Sequence, residues 1–269
     1  LECLYAAGAD GVYVSGHTGE GLAQPLPERE LVVEAAVRNS PPGKLVVVHV
    51  GAHRTADALR LARHAAKTGA HAVSSLPPIG SYSLEEVKSY YAALATATDL
   101  PVLVYYFPQY SQAIGTLEAL RELLAIPGVA GLKFTGFDLY SLSRLKLGGA
   151  VVFNGHDEVL AAGLLMGADG GIGSFYNLVP ELFVEVYRQA QAGHWAAARA
   201  VQDRINELIE ITLRLPYLAA IKRMLEWSGI ACGPCFAPRR RLSQAEEAKL
   251  AEWLAASSFR DASFARPRG

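Results

Sequence analysis

A lysine inside a predicted β-strand is the residue whose type and position most directly suggest chemistry. Lys133 lies near the C-terminal end of the stretch 127–135, which opens on a Pro-Gly turn and is otherwise apolar. Burial disfavours the charged ammonium, and a neutral amine in a dry pocket is the nucleophile that forms an imine with a ketone. The sequence suggests a Schiff-base lysine; the alternative is an amine that reaches solvent or pairs with a carboxylate.

Strands and helices that would position this lysine alternate along the first two thirds of the chain. The spacing of about 30 residues and the near-continuous apolar runs are typical of parallel βαβ units buried on both faces. The predicted strands are 11–15, 45–50, 71–75, 102–106, 131–134, 151–154 and 170–174. The predicted helices between them are 27–38, 55–68, 83–97, 116–124, 138–146 and 157–166.

The fold class predicted from this alternation is an α/β (β/α)8 TIM barrel. Eight strands close such a barrel, whereas the sequence provides seven and opens inside what resembles a helix end at residues 1–7. We therefore expect this chain to lack the first strand and most of the first helix, about 30 residues at the βαβ period. A seven-stranded open sheet is the alternative.

A helical region follows the barrel. After Tyr176 the strand period ends, and the amphipathic stretches 179–193, 195–214, 217–228 and 243–256 predict successive helices. We assign the barrel to residues 1–192, with the first of these helices completing it. Residues 193–269 are then a C-terminal helical extension packed on the barrel.

The bulk composition excludes several classes of function. The net charge is −1 and the pI is about 6.7, which gives no electrostatic footprint for nucleic acid or an anionic membrane. The sequence contains neither a membrane-length apolar run nor a cationic signal region at its start. A cytoplasmic protein with a small-molecule partner is the expectation.

The motif Cys232-Gly233-Pro234-Cys235 matches the redox motif of thioredoxin-like proteins. In those proteins a strand precedes the cysteines and a helix follows them. Here a predicted helix precedes the motif and a loop rich in proline and arginine follows it. Two quiet thiols in a loop are therefore favoured over a redox site.

The C-terminal ends of barrel strands converge on one mouth, and here they carry a coherent set of polar residues. The loop 15–21 has glycines whose backbone N–H groups, together with the Thr18 hydroxyl, can face a carboxylate. Tyr105 could relay protons to a reactive amine, and Thr135 lies on the same strand face as Lys133. Two adjacent carboxylates, Asp157 and Glu158, suggest hydroxyl recognition, although one could merely favour a helix dipole.

Five ordered motifs in this set resemble the N-acetylneuraminate lyase and dihydrodipicolinate synthase family. They are residues 16–20, 104–108, 131–135 with 138–140, 154–158 and 167–177. The resemblance runs through almost the whole chain and implies a (β/α)8 barrel, usually a homotetramer, that acts as a class I aldolase on 2-keto acids.

The resemblance also implies residue roles. Lys133 would form the imine with the keto carbon, and Tyr105 would shuttle protons during imine formation and C–C cleavage. Gly16, His17 and Thr18 would lie in the loop that holds the keto-acid carboxylate. The protonated imine is itself an electron sink for the broken bond, so neither a cofactor nor a metal is expected.

Within the family the resemblance is closer to the N-acetylneuraminate lyase branch. Synthases generally carry an arginine after the tyrosine-and-proline motif, and the segment 109–112 has none. The residues that match the substrate contacts of the lyase branch follow strands five, six and seven of this chain. They are Thr135, Gly155, Asp157, Glu158, Ile172 and Ser174.

Two positions depart from the family pattern. His17 stands where the family has a serine or threonine that bonds the tyrosine and the carboxylate; an imidazole is larger and titrates near neutral pH. The segment 77–82 is one residue short and lacks the aromatic residue usually lent to a neighbouring subunit, for which Tyr82 is a candidate replacement.

Three functions stay open from the sequence. The first is a lyase that cleaves N-acetylneuraminate or a similar polyhydroxy 2-keto acid to pyruvate and an aldehyde. The second is related chemistry, as in a 2-keto-3-deoxy sugar acid aldolase or a dihydrodipicolinate synthase-like condensing enzyme. The third is a barrel that binds a keto acid without turnover. A metal-dependent aldolase would need ligands from His49, His53 or His156, whose spacing does not favour a site.

Overall fold

The structure is a computed structural model that describes residues 1–110 and 112–266. The chain forms two compact units, Leu1–Gly173 and Ser174–Gly269. Every strand of the described residues belongs to the first unit, and the second unit is helical. The boundary between barrel and extension that the sequence suggests, after residue 192, stays a prediction.

Seven parallel strands form one sheet whose spatial order is the order of the chain. They are β1 Gly11–Val14, β2 Leu45–His49, β3 Ala72–Ser75, β4 Val102–Tyr106, β5 Val129–Phe134, β6 Val151–Asn154 and β7 Gly170–Gly171. All seven predicted strands are confirmed. The predicted end of β7 at residue 174 is wrong, because after the Ile172 N–H bonds the Asn154 carbonyl the chain leaves the ladder for a 3₁₀ turn at Phe175–Asn177.

The sheet is buried on both faces, as the continuous apolar strands predict. One face packs on the helices; Val46, Leu132 and Phe134 lie fully buried in that core. On the opposite face Val47, Ala72 and Leu103 form a second apolar cluster, against which Tyr13 and Phe153 pack. Side chains of β1, β2, β3, β4 and β6 thus meet on one side of the sheet, which therefore curves around them.

Helices connect the strands of the first unit. They are α1 Glu2–Ala6, α2 Leu26–Arg38, α3 Thr55–Thr68, α4 Leu84–Ala97, α5 Leu117–Leu124, α6 Leu139–Leu147 and α7 Leu160–Leu165. A capping box begins α4, with Ser83 accepting from the Glu86 N–H while the Glu86 carboxylate accepts from the Ser83 N–H. Gly69 ends α3 at φ 95°, where glycine is favoured.

The second unit contains four helices among its described residues. They are α8 Pro180–Gln191, α9 Trp195–Leu213, α10 Tyr217–Trp227 and α11 Gln244–Ala255. All four were predicted from the amphipathic pattern. A second capping box, between Ser243 and Glu246, begins α11.

Candidate active site

Lys133 is buried on the inner face of β5, with 6% of its surface exposed. The strand places it beside Tyr105 of β4 and Phe153 of β6 in the parallel register. Burial lowers the pKa of the amine from its usual value to about 8, while the Asp157 carboxylate acts in the opposite direction. With this pKa about a tenth of the amine is neutral at pH 7. The predicted inward orientation of this lysine is confirmed.

Two tyrosine rings enclose the Lys133 amine. Nζ lies 4.2 Å from the centroid of the Tyr105 ring and 4.5 Å from that of the Tyr13 ring. The two rings meet edge to face, with their centroids 6.1 Å apart. The structure thus brings Tyr105 to the amine as the sequence predicts, and adds Tyr13, which sequence reasoning did not single out.

The loop after β1 has an unusual backbone. Ser15 and Glu20 have φ of 56° and 53°, and among the described residues they are the non-glycine positions with positive φ. Both side chains are buried. Such strained conformations persist where the surrounding structure enforces them, often at ligand sites. The predicted role of Gly16 and Thr18 in carboxylate binding gains this support and stays a prediction.

His17 contacts a tyrosine of the segment after β4. Its Nδ1 lies 3.3 Å from the Tyr110 hydroxyl, and the two rings are 5.8 Å apart. Phe107 packs edge-on against the same imidazole at 6.2 Å and stacks on Tyr105 at 6.1 Å. His17 is therefore part of an aromatic group that extends to Tyr105.

The Thr135 hydroxyl is buried without a partner. The residue is 5% exposed, and across residues 1–110 and 112–266 no group hydrogen-bonds its Oγ1. Gly155 packs directly on this oxygen, and its N–H bonds the carbonyl of Phe134 at 2.8 Å. An unpartnered buried hydroxyl costs free energy unless a ligand satisfies it, which favours Thr135 as a substrate contact.

The acidic pair after β6 forms a 3₁₀ turn at Asp157–Val159. Asp157 is buried, with 6% of its surface exposed, and its charge acts on the Lys133 amine. Glu158 Oε1 lies 3.4 Å from His156 Nδ1. The His156 ring stacks on Phe137, with centroids 4.0 Å apart. The buried Asp157 carboxylate near the Lys133 amine is therefore adjacent in the chain to His156, whose ring stacks on the exposed Phe137 ring.

The last predicted site residues follow β7. Ile172 continues the strand by its bond to Asn154, and so lies near the end of β6. Ser174 begins the second compact unit, ahead of the turn at Phe175–Asn177. Their proposed roles in substrate binding stay predictions.

A buried polar layer lies beside these residues, and sequence reasoning missed it. Arg29 of α2 is 1% exposed and donates to the carbonyls of Gly51 at 2.8 Å and His49 at 2.6 Å. His49 Nε2 accepts from the Leu76 N–H, so the ring carries its hydrogen on Nδ1 when neutral. Burial, with Arg29 and Lys133 nearby, holds the pKa of His49 well below its usual range. His49 is thus a neutral structural histidine.

The segment 77–82 borders an open cleft of about 440 Å³. Tyr82, 42% exposed, lines this cleft with His53, Glu85 and Tyr90, and none of the residues that enclose Lys133 does so. The cleft is therefore separate from the amine. Tyr82 as a replacement for the aromatic residue of the family stays a prediction.

Within residues 1–110 and 112–266, no three His, Cys, Asp or Glu side chains are grouped so as to hold a metal ion. His49 in particular uses Nε2 on the backbone. No helix in the described part of the chain has the length and hydropathy needed to cross a membrane.

The Cys232–Cys235 segment has the features of a structural loop. Cys232 Sγ donates to the Lys222 carbonyl at 3.3 Å, and Lys222 Nζ donates to the Pro234 carbonyl at 2.9 Å. Burial raises the pKa of the Cys232 thiol, the opposite of what a nucleophilic thiol requires. Both cysteines are reduced thiols in a loop that no helix directly follows.

A lysine amine kept from water beside a tyrosine, at the C-terminal end of a strand in a parallel α/β sheet, is the arrangement of a class I aldolase. The fold and the site together define this class of enzyme, a pyruvate-dependent carbon–carbon lyase.

The chain belongs to the dihydrodipicolinate synthetase family, whose profile matches residues 1–257. It is 39% identical to the N-acetylneuraminate lyase of Rhizobium meliloti over 92% of this chain and 84% of that protein. N-acetylneuraminate lyase 2 of Escherichia coli O6:H1 is 35% identical over 91% of this chain and 83% of that protein. The solved sialic acid aldolase of Ruminococcus gnavus superposes with a TM-score of 0.89 at 28% identity, covering 94% of this chain and 86% of that one. The predicted barrel class is confirmed by this likeness.

Proposed function

We propose that the protein cleaves N-acetylneuraminate, or a similar polyhydroxy 2-keto acid, to pyruvate and an aldehyde through a Schiff base on Lys133. The observation that carries the proposal is the burial of the Lys133 amine between two tyrosine rings, with its pKa lowered to about 8. The names of the similar lyases support the choice of substrate.

The chemistry follows from the amine. Neutral Nζ attacks the keto carbon, and the carbinolamine that forms takes up one proton and loses water to give a protonated imine. When the C–C bond to the hydroxyl-bearing carbon breaks, its electron pair moves into the imine to form an enamine, and the hydroxyl proton leaves as the aldehyde forms. Protonation of the enamine and hydrolysis of the imine release pyruvate and restore the amine.

Tyr105 is the proposed proton shuttle in these steps. Its ring is 3% exposed and lies 4.2 Å from Nζ, so the phenol has little access to competing water. The strained loop with Gly16, His17 and Thr18 is proposed to hold the keto-acid carboxylate. Backbone N–H groups of such a loop suit a small anion.

The hydroxyl chain of the substrate is proposed to lie along the residues that follow β5, β6 and β7. Asp157 is buried close enough to act on Lys133, and the unpartnered Thr135 hydroxyl is available to a ligand. A buried carboxylate that accepts hydrogen bonds from sugar hydroxyls discriminates strongly against substrates lacking them. Gly155, Glu158, Ile172 and Ser174 complete the proposed set.

We further propose a homotetramer located in the cytoplasm, on the resemblance to the family. Light scattering after size-exclusion chromatography tests the assembly, for which four times the 28.8 kDa chain mass is expected.

Borohydride reduction in the presence of pyruvate tests the Schiff base. We expect a covalent adduct on Lys133 that Lys133→Arg and Lys133→Ala abolish, while Lys249→Arg, at an exposed lysine, retains it. EDTA is expected to leave the activity intact. An adduct that persists in the Lys133 variants would locate the nucleophile elsewhere.

The substrate is tested by measuring pyruvate release from a panel of sialic acids and 2-keto-3-deoxy sugar acids, with condensation of pyruvate and aspartate semialdehyde assayed in parallel. We expect the highest kcat/KM for a sialic acid. Trapping of pyruvate without turnover of any panel member would favour a keto-acid-binding barrel.

A further inference from the structure

Tyr13 has a position that neither the resemblance nor the proposed steps use. It lies on β1, whereas Lys133 lies on β5, and these strands are not neighbours in the sheet. The ring nevertheless lies 4.5 Å from Nζ, on the inner side of the curved sheet. With Tyr105 it forms two walls around the amine, which we call the aromatic clamp.

Besides the His49 ring, whose centroid lies 6.3 Å away, three contacts fix the Tyr13 ring. Its hydroxyl donates to Ser74 Oγ at 3.0 Å, and its ring edge meets Tyr105. The third contact is with the loop proposed to hold the carboxylate: a β-carbon on Gly16 would lie 2.6 Å from Tyr13 Cε1. The loop therefore rests on the same ring that faces the amine, and only glycine permits that approach.

We propose that Tyr13 is a positioning residue for the Schiff-base reaction, whose ring stabilises the positive charge on Lys133 Nζ and supports the Gly16 loop. The inference rests on the proposed function, since it assumes that the amine reacts. The face of an aromatic ring carries negative potential, so it attracts both an ammonium and a protonated imine at the same place.

Other groups around the amine do not replace this contribution. Tyr105 of β4 provides the second ring, and Asp157 after β6 provides the negative charge that raises the amine pKa. His49 of β2 is kept neutral by burial and by the positive charges of Arg29 and Lys133. Burial likewise raises the pKa of the Tyr13 phenol well above its usual value, so the ring remains neutral.

The test compares Tyr13→Phe, which keeps the ring, with Tyr13→Leu, which removes it. The rate of borohydride trapping with pyruvate is measured against pH, and its midpoint reports the amine pKa. For Tyr13→Leu we expect the midpoint to fall by about 0.5 to 1 pH unit, because the ammonium loses one ring face. The pyruvate concentration for half-maximal trapping should rise severalfold as the Gly16 loop loses support. Tyr13→Phe should keep both values.

Phe134→Leu is the matched control. It removes an aromatic ring of β5 that is fully buried and lies tilted against Tyr106 at a centroid distance of 4.8 Å. It should lower the thermal midpoint without moving the trapping profile. If Tyr13→Leu does not fold, pentafluorophenylalanine at position 13 keeps the shape of the ring but reverses its electrostatic face, and should also lower the midpoint.

The outcomes separate this inference from the proposed function. Absence of trapping in the unmodified protein overturns the proposed function. If the unmodified protein is trapped normally but the midpoint is unchanged or raised in Tyr13→Leu and in the pentafluorophenylalanine variant, the inference alone is overturned. An equal shift in Tyr13→Phe or Phe134→Leu also overturns it, because the effect would then belong to the hydroxyl or to general packing.

Discussion

The β-carbon that Gly155 lacks would lie 2.1 Å from Thr135 Oγ1. The same atom would lie 3.0 Å from the Phe134 carbonyl, so a side chain at this position displaces the end of β5. The glycine thus allows the loop after β6 to pack on the strand that carries Lys133.

The first prediction is that Gly155→Ala shifts Thr135 and lowers kcat/KM for the polyhydroxy substrate by about tenfold to a hundredfold, since small displacements of site groups have effects of this size. The control is Gly170→Ala, whose β-carbon would be in ordinary contact with Phe153 at 3.6 Å. It should retain most of the activity. Equal losses in the two variants would contradict a specific role of the Gly155 contact.

The second prediction concerns Asp157. Its carboxylate raises the pKa of Lys133 against the effect of burial. Asp157→Asn removes this charge, so the amine pKa should fall below about 8 and the acid limb of pyruvate trapping should move to lower pH. KM for the polyhydroxy substrate should rise far more than pyruvate trapping weakens.

Asp99→Asn, at an exposed carboxylate, is the control for this measurement and should leave the profile unchanged. A shift to higher pH in Asp157→Asn would contradict the electrostatic coupling. A rise in KM for the polyhydroxy substrate that is no larger than the weakening of pyruvate trapping would contradict a role in binding the hydroxyl chain.

The third prediction is a stability effect of the buried amine. The folded-state pKa of about 8 lies below the usual value of 10.5, so the unfolded chain binds the proton more tightly between these values. The full cost of burying the ammonium is present below pH 8 and is relieved as pH rises from about 8 to 10.5. The Lys133 amine therefore makes the free energy of unfolding increase as the pH rises from about 8 to 10.5.

Lys133→Met should accordingly raise the free energy of unfolding at pH 7 by roughly 1 to 3 kcal/mol, with Asp157 offsetting part of the gain. The difference from the unmodified protein should shrink towards pH 10. Urea denaturation at several pH values measures it, and Lys249→Met serves as the exposed control. A pH-independent difference would contradict the assignment to the amine.

The sequence was sufficient to predict the sheet, because parallel strands buried on both faces leave continuous apolar runs. Val102–Tyr106 and Val151–Asn154 agree with their predicted bounds. The inward direction of Lys133 follows from the same pattern. The Ser83 cap of α4 is likewise explained by local rules, since a capping box depends on residues only three apart.

Local sequence rules do not predict the contacts across the inner face of the sheet. Tyr13 meets Lys133 only because the sheet curves, and a single aromatic residue in a strand does not reveal that curvature. Arg29 lies between two glutamates in α2, a pattern typical of an exposed helix face, yet it is 1% exposed. Its burial depends on the carbonyls at the end of β2, which no local pattern identifies as acceptors.

Arg29 provides the last prediction. The guanidinium is buried, and burial lowers its pKa to about 10. In the described part of the chain no carboxylate forms an ion pair with it. It instead satisfies the Gly51 and His49 carbonyls through two separate N–H groups. Arg29→Met leaves both carbonyls without these donors and should lower the free energy of unfolding by about 2 to 4 kcal/mol, reduced by the relief of a buried charge.

Arg29→Lys should recover only part of this loss, because a lysine does not reproduce the planar fork of donors that spans two carbonyls. Arg60→Met removes an exposed arginine of α3 that pairs with Glu30 of α2, and it should change stability little. Urea denaturation at pH 7 compares the three variants. Full recovery by lysine would mean that the positive charge matters and the geometry does not. An effect of Arg29→Met no larger than that of Arg60→Met would show that the two carbonyls find other donors.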